Sequence, residues 1–589
     1  MTEKKIEQLK KEFETFLKNY YKDNVPTNLN ISIDERKLTD MFAKLEYAIK
    51  NDKKILIFGD YDVDGISSTT FTYEFIKTLG MYQFGKSPKD VLVDYVIPSR
   101  YENYGIDYDR YIDDFQKRYD YIIILDNGSH ESFYGKLTQK DKSKITIVDH
   151  HPNGNFAKED CIINPNVQGD LEISTGFLMQ KIFERARKHF EDYGKKVKPY
   201  QFLDLAAMSM ISDMANLNSK IVRNYIVYGI RYMELRKRAI YKEVFKNPNK
   251  KITLSDVSFN LIPMLNSAGR LAQDPTFAVD VLVKKRANKE WFQKYIQLAE
   301  MNKLRKDILA YYLKNFKKKD IFEKSFKGNL ITYFLNEEGS RYEGYNVIGI
   351  NGLIAGELNK FFGKDAISVS KHPFSNYLAG SGRGSNIKRQ LSKIYEYCKE
   401  GTFEFGGHNQ AVGIKIYDRK EFEKGVVKYI ENEKDFIRSL EEKQRYYITD
   451  RIYSLDEYAL LCKMYSDMSE DGRNIKFNDP FYVKLKAEVI GYKEYSRDYM
   501  KLILGNSFDD KIEVLNILTK KNSEIDYKDL EEQVFSIEVT PDIEYAKQNE
   551  FGNENIVKTQ VNLFKENSSN NYYKIQEEEE AQCEVKNKL

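Results

Sequence analysis

Along the first 50 residues apolar side chains recur every three or four positions: Ile6, Leu9, Phe13, Phe16 and Leu17, then Leu38, Met41, Leu45 and Ile49. That is the period of an amphipathic helix, and it predicts a helical lead-in over residues 1–50. From residue 53 the pattern changes to short continuous apolar runs separated by helical stretches: KKILIFGD, VLVDYVIP, YIIILDNG and KITIVDHH. Runs of that length suit strands buried on both faces of a parallel sheet. The pattern therefore predicts an α/β, multidomain chain whose first globular unit, 51–283, is built on a parallel sheet.

Residues 284–320 contain neither Gly nor Pro and set Trp291, Leu298, Met301 and Ile308 at helical spacing. A connecting helix is expected within 284–327. A second α/β region follows at 328–430, with the glycine-rich GSGRGS and EFGGHNQAVGIKI. Over 431–545, FYVKLKAEVIGYKE, MKLILGN and KIEVLNILTK alternate apolar and polar residues, the mark of half-exposed antiparallel strands, and a small β-barrel is expected there. Residues 546–589 lose periodicity and carry the run Glu577–Glu580, so a disordered acidic tail is expected.

Composition narrows the partners. The chain has 589 residues, 93 Lys plus Arg against 90 Asp plus Glu, and a net charge of +3. A polyanion-binding surface must then be local rather than global. No apolar run approaches the roughly 18 to 20 residues of a membrane span, and the start lacks a signal-peptide core; a cytoplasmic monomer with no membrane partner is expected. The four cysteines, Cys161, Cys398, Cys462 and Cys583, lie too far apart for a CxxC pair and read as ordinary thiols.

Three of the four strand-like runs end in aspartate, and ligands of open α/β sheets gather outside the carboxyl ends of the strands. Asp60, Asp62 and Asp64, then Asp126, then Asp149, His150 and His151 would meet in one crevice, joined by Asp213 in LAAMSMISDMANL. Like charges so close require a compensating cation. A calcium loop of EF-hand type is excluded, since the twelfth position from Asp60 is Phe71 rather than Glu and the segment before it is strand-like. Asp64 alone could be a helix N-cap, but six aspartates with two histidines are poorly explained that way. Carboxylates mixed with imidazole suit Mn²⁺ or Mg²⁺, and a bridging carboxylate would hold two ions roughly 3.5 to 4 Å apart, as in phosphoryl displacement. If the segment stays extended, His150 and His151 point opposite ways and divide metal binding from substrate contact.

In this order and spacing, GDYDVDG, ILDNG, VDHH and SDMANL resemble the four motifs of the DHH phosphoesterase superfamily. VIPSRYENYG, NSAGRL and LAEMNKLRKDI are similar to the RecJ family of bacterial single-strand-specific 5′ to 3′ DNA exonucleases. EFGGHNQAVG resembles its DHH-associated domain, and FNDPFYVKLKAEVIGY the entry to its OB-fold. The resemblance runs from about residue 50 to 540. It implies that Asp62 and Asp126 bind one ion, with Asp60 a ligand or a supporting group, and that Asp64, Asp126, His150 and Asp213 bind the other. Asp149 would orient His150, His151 would contact the scissile phosphate, and an ion-activated water would attack it. Arg383 with Gly382, the segment Gly406, Gly407 and His408, Arg270 with Asn266, and Arg100 would grip the substrate, with Tyr101 and Tyr104 as stacking rings.

Single-stranded DNA is the implied partner, with a single-strand binding protein or a helicase as family-implied associates. A narrow channel between the first two domains would exclude duplex. Three positions depart from the family pattern: Glu357 stands near an expected Ser-Arg pair, GGHNQAVG replaces GGHxxAAG, and Phe58 replaces a histidine found in some relatives. Two other readings share the motifs, a phosphodiesterase for short oligoribonucleotides or cyclic dinucleotides and a non-catalytic replication scaffold. Every expected acidic and histidine position is filled, which speaks against the scaffold.

Overall fold

In a computed structural model of the chain, each of the four apolar runs is a strand: β1 Ile55–Phe58, β2 Val93–Val96, β3 Tyr121–Leu125 and β4 Ile145–Val148, with a short β5 at Ile162–Ile163. The structure describes residues 3–565 apart from 25–30, 101–104, 130, 152–158, 167–172, 216, 218, 272, 315–324, 326–327, 336–340, 343–346, 373, 442–445, 469–480, 497–498, 506–514, 521–533, 540–555 and 559–561. All pairs in this sheet are parallel and the order is β2-β1-β3-β4-β5. Such an order reverses between β1 and β3, and that switch point opens a crevice at the strands' carboxyl ends. Every residue of β1, β3 and β4 is buried, which accounts for runs with no polar alternation.

The lead-in is two helices, α1 Glu3–Asn24 and α2 Glu35–Lys50, and they part company. α2 packs on the first sheet, where Lys37 Nζ donates to the Ile162 carbonyl at 2.8 Å. α1 lies against the strand Tyr446–Tyr453 far along the chain, where Arg451 Nη2 meets Glu12 at 2.9 Å and the Tyr453 hydroxyl donates to the same carboxylate at 3.3 Å. Three further helices frame the crevice: α3 Val63–Phe84, α4 Thr175–His189 and α5 Leu203–Ser212. A one-turn helix, α6 Ser267–Arg270, leads toward the connecting helix α7, Lys289–Lys314, whose Trp291, Leu298 and Ile308 are buried as their spacing requires.

The second sheet contains β6 Leu330–Phe334, β7 Asp365–Lys371, β8 Leu378–Arg383, β9 Phe403–His408 and β10 Ala411–Ile416, in the order β6-β7-β8-β10-β9. Only the β6–β7 pair is parallel. Helix α8, Ile348–Phe362, covers one face, while α9 Ile387–Glu396 and α10 Arg419–Asn432 cover the other. Two glycines allow close backbone approach, Gly269 inside the first domain and Gly349 between the two halves. A side chain at Gly269 would strike the Tyr61 carbonyl oxygen at 2.7 Å, and one at Gly349 the Arg270 carbonyl oxygen at 2.2 Å.

The third region is a seven-stranded sheet over residues 446–565. Its strand path ends in Ile556–Lys558 on one side and Asn562–Lys565 on the other, with no closing pair between them among the described residues. Both edge strands fall within the stretch expected to be disordered: their short apolar alternation is enough to pair with a neighbour, although too brief to register as a strand by pattern. The acidic run 577–580 lies outside the described residues. Among the described residues no helix is long and apolar enough to cross a membrane.

Candidate metal centre and arginine cluster

The chain leaves β1 and turns straight into α3, and Asp62 caps that helix, accepting from the backbone of Asp64 at 2.9 Å and Gly65 at 3.3 Å. The capping role considered for Asp64 thus belongs to Asp62. Asp64 points across the crevice to the start of α4, where the Thr175 and Gly176 amides donate to it at 2.8 and 3.0 Å and the Ser209 hydroxyl from α5 adds a third bond. Asp126 follows β3 with φ +66°, a left-handed conformation tolerated best by Gly, Asn and Asp. Thr175 Oγ1 donates to its carboxylate at 3.0 Å. Asp213 ends α5 as its C-cap residue and is a quarter exposed.

His150 sits at the hub. Its Nε2 lies 3.2 Å from Asp126, 3.4 Å from Asp213 and 3.6 Å from Asp64. Three groups have donor atoms within 4.8 Å of one another: Asp60, Asp62 and Asp126; Asp64, His150 and Asp213; Asp126, His150 and His151. Asp126 is common to two of these groups, with Asp60 and Asp62 in one and the two histidines in the other, and His150 is likewise common to two.

Two details differ from the sequence-based expectation. Asp149 Oδ1 accepts from the His150 and His151 amides at 2.8 and 3.2 Å and faces the His151 ring nitrogen Nδ1 at 2.8 Å, so it orients His151 rather than His150. The two rings do not point opposite ways; their centroids are 4.5 Å apart. Both follow from one cause. The Asp149 carboxylate curls the chain into a turn immediately after β4, so the two-residue alternation of an extended strand no longer applies. Asn166 Nδ2 holds the His150 carbonyl at 2.7 Å, Asn164 Nδ2 the His151 carbonyl at 2.8 Å, and the Ser129 hydroxyl the other oxygen of Asp149.

Electrostatics are unfavourable without a cation. Burial, and then the neighbouring carboxylates, push Asp60, Asp126 and Asp213 well above the ordinary carboxylate range. Asp64 is raised too, by burial first, against the pull of His150. Asp149 moves the other way: burial opposes ionisation, but His151 and the surrounding hydrogen bonds hold its carboxyl well below the usual range. Removing a charge from water costs several kcal/mol even after relaxation, whereas a buried Ile or Val contributes only about 1.5 to 3 kcal/mol. Stability alone does not account for such a cluster. Asp60 Oδ1 is buried with no hydrogen-bond partner, and an all-oxygen-plus-imidazole donor set suits hard divalent ions. The residues present fit a divalent-metal site.

Facing the acidic centre are four guanidinium groups. Arg100 lies over the Tyr61 ring at 4.4 Å, and its Nε is buried without a hydrogen-bond partner. Arg270 donates to the Gly349 carbonyl at 3.0 Å. Burial, then Arg100, Arg383 and Arg305, depress its pKa to about 9, while Asp62 works the other way. Arg383, on β8, is lowered by burial and by Arg100, and Arg305, on α7, is steered by the Asn302 side chain at 3.0 and 3.1 Å. Mutual repulsion among buried cations marks an anion site.

The remaining expected contacts divide. Asn266 sits one turn before Arg270, its carbonyl accepting from the Arg270 amide. Gly382 faces Ile387 and Val412 in the core, and its carbonyl is taken by Arg383. Gly406 is exposed, the Gly407 carbonyl accepts from Lys388 Nζ at 2.8 Å, and the His408 backbone pairs with Ala411, which pairs in turn with Arg383. Glu357 turns to Lys360 at 2.9 Å. Tyr101 and Tyr104 lie outside the described residues. Sequence reasoning missed Arg305, Thr175 and Ser209. Arg305 lay within the quoted LAEMNKLRKDI, but Thr175 and Ser209 carry no charge and no motif spacing to flag them.

Fold and site together define an α/β protein with an acid–imidazole centre suited to divalent cations. Residues 54–210 match the DHH family, N-terminal domain. Over 389 residues, 63% of this chain and 64% of the relative, the sequence is 26% identical to the single-stranded-DNA-specific exonuclease RecJ of Haemophilus influenzae. The Bacillus subtilis protein of the same description is also 26% identical, over 63% of this chain and 45% of its own length. The chain is similar to these RecJ proteins, and the matches span less than two thirds of their length. The crystal structure of RecJ from Thermus thermophilus in complex with Mn²⁺ superposes with a TM-score of 0.62 at 16% identity, covering 88% of this chain and 69% of that one; it shares the fold.

Proposed function

We propose that the chain is a two-metal-dependent exonuclease that removes 5′-mononucleotides from single-stranded DNA in the 5′ to 3′ direction, in the service of DNA repair, recombination or replication. The observation that carries this reading is the pairing of opposites in one crevice: carboxylates and imidazoles grouped for divalent ions on one wall, mutually repelling arginines on the other. A phosphodiester near a strand terminus satisfies both, since its phosphates neutralise the arginines while the bond to be cut reaches the acidic centre.

Asp62 and Asp126, with Asp60, would hold one ion, and Asp64, Asp126, His150 and Asp213 the second. When bound, such ions supply Lewis acidity and an activated water. The chain's own groups do the rest. The α4 amides and the Ser209 hydroxyl fix Asp64, and Thr175 fixes Asp126, so neither carboxylate has to reorganise. Asp149 holds His151 through Nδ1, leaving Nε2 to meet a phosphate oxygen. Arg100, Arg270, Arg305 and Arg383 anchor the strand end. The RecJ-named relatives, described as acting on single-stranded DNA, support the choice of substrate.

The test is product polarity. Strands labelled at the 5′ or the 3′ end, in DNA and RNA, are incubated with Mn²⁺. Release of labelled mononucleotide first from the 5′ label, on DNA, and its loss in Asp126→Ala and His150→Ala chains that still fold, is the expected result. Equal activity in those variants would overturn the site, and 3′-first release the polarity.

A further inference from the structure

The second sheet carries a feature that the cleft does not use. Paired residues on neighbouring strands project to the same face. The registers Arg383–Ala411–His408, Ser381–Gly413–Gly406 and Ala379–Lys415–Glu404 therefore run as successive rows along one face. α8 covers this face over β7 and β8: Asn351 bonds Ser370 and the Ala379 carbonyl, and Gly352 lies against the Arg383 guanidinium. It leaves β9 and β10 open. A side chain at Gly406 would meet nothing within 4 Å, and one at Gly413 only the Gly406 carbonyl oxygen at 3.9 Å. The result is a strip of bare backbone beginning beside the arginine cluster.

At the other end of that strip, about 20 Å away at the ordinary rise of an extended strand, stands a group of rings. The His372 amide donates to the Tyr377 carbonyl at 3.0 Å, continuing the β7–β8 ladder. The His372 and Tyr377 rings lie 4.7 Å apart, Tyr377 and Tyr417 5.5 Å, and His372 and Phe374 6.3 Å. Lys415 Nζ lies over Tyr377 at 5.6 Å. Phe374 is 76% and Tyr417 44% exposed. The carboxylate in these rows, Glu404, takes the Tyr417 hydroxyl. Single exposed rings are ordinary. Grouped rings with a lysine over one of them, at the end of an uncluttered shelf, are the composition that holds unpaired bases by stacking and a phosphate by charge.

We propose that this shelf is a second strand-binding station. Bases of a single-stranded DNA whose end occupies the cleft stack on Phe374, Tyr377 and Tyr417, and Lys415 meets its phosphates. The proposal rests on the nuclease reading above and deepens it by giving the uncut part of the strand a path. Duplex is not bound there, because its base faces are already stacked.

Binding of the full-length chain to labelled oligothymidylates of about 4 and about 20 nucleotides, with Ca²⁺ replacing Mn²⁺, separates the two sites by strand length. The doubly substituted Phe374→Ala, Tyr417→Ala chain is expected to bind the long strand roughly 100-fold more weakly, the scale of two lost base–aromatic stacks, to bind the short one as before, and to hydrolyse it as before once Mn²⁺ is restored. Phe374→Tyr restores the affinity. Lys415→Gln flattens the salt dependence for the long strand only. Unchanged long-strand affinity in the alanine variant overturns the station and leaves the patch to a protein partner. Equal losses on both lengths overturn it as well. An unsubstituted chain that binds neither strand overturns the nuclease reading itself, an outcome distinct from both.

Discussion

Two buried clusters of like charge, opposite in sign, share one cleft, and they are built differently. The acidic centre comes from one domain, at the ends of β1, β3, β4 and α5, and three of its carboxylates are pinned: Asp64 by two amides and a hydroxyl, Asp126 by Thr175, Asp149 by Ser129 and the His151 ring. The arginine cluster draws on both domains and the helix between them, with Arg100 after β2, Arg270 on α6, Arg305 on α7 and Arg383 on β8. The first is rigid scaffolding for ions. The second is complete only while the two domains face each other, so any motion that opens the cleft withdraws Arg383 from it but leaves the acidic centre whole.

The largest expected effect falls on the acidic side. Asp126→Ala should lower hydrolysis of labelled single strands by roughly 10³-fold or more, the scale of the several kcal/mol of charge stabilisation that a bound ion supplies, with an unchanged circular dichroism spectrum. A residual activity near wild type would break the comparison at its root. On the basic side, Arg270→Gln should lower kcat/KM about 10- to 100-fold, as for loss of a charge-assisted hydrogen bond. Because its neighbours repel it, the variant's melting temperature without phosphate should be unchanged or higher; a marked fall would mean that the cluster is held together by something other than a bound anion.

Smaller effects sharpen the contrast. Thr175→Val removes the hydroxyl behind Asp126 and should raise the half-saturating Mn²⁺ concentration about ten-fold, with activity recovering at high Mn²⁺. The smallest expected effect is a pH dependence of metal-induced stabilisation. Asp60, Asp126 and Asp213 have raised pKa values, so the metal-free folded chain binds protons more readily than the unfolded one, and its stability falls as pH rises from about 4 toward those raised values. Mn²⁺ competes with these protons, and the gain in melting temperature on adding it should grow between about pH 5.5 and pH 8. Asp149, shifted downward, contributes stability above about pH 4 with or without metal and does not alter that sign.

The four apolar runs became β1 to β4 with little displacement, and for β1, β3 and β4 the reason is that a strand buried on both faces must be apolar at every position, a local requirement visible in the chain itself. The same holds for the aspartates ending those runs, which only the crevice of a parallel sheet brings together. Thr175 and Ser209 were not legible: a hydroxyl that orients a carboxylate across 49 or 145 positions looks like any other helix-start or helix-interior residue. The roles of Asp62 and Asp64 as cap and cross-crevice acceptor depended on the turn after β1, and that of Asp149 toward His151 on the turn after β4, turns whose direction the residue types permit but do not dictate.

Hydrophobic period and strand-end chemistry, both short-range properties, determined that this is an α/β chain with an acidic, imidazole-bearing centre. Tertiary structure alone decided that α1 belongs with residues 446–453 rather than with α2, that four arginines separated by up to 283 positions (Arg100 to Arg383) repel one another beside Asp62, and that β9 and β10 keep an open face. The physical reason is range: side-chain period is set by neighbours a few residues away, whereas charge repulsion and exposure depend on what the rest of the chain folds against.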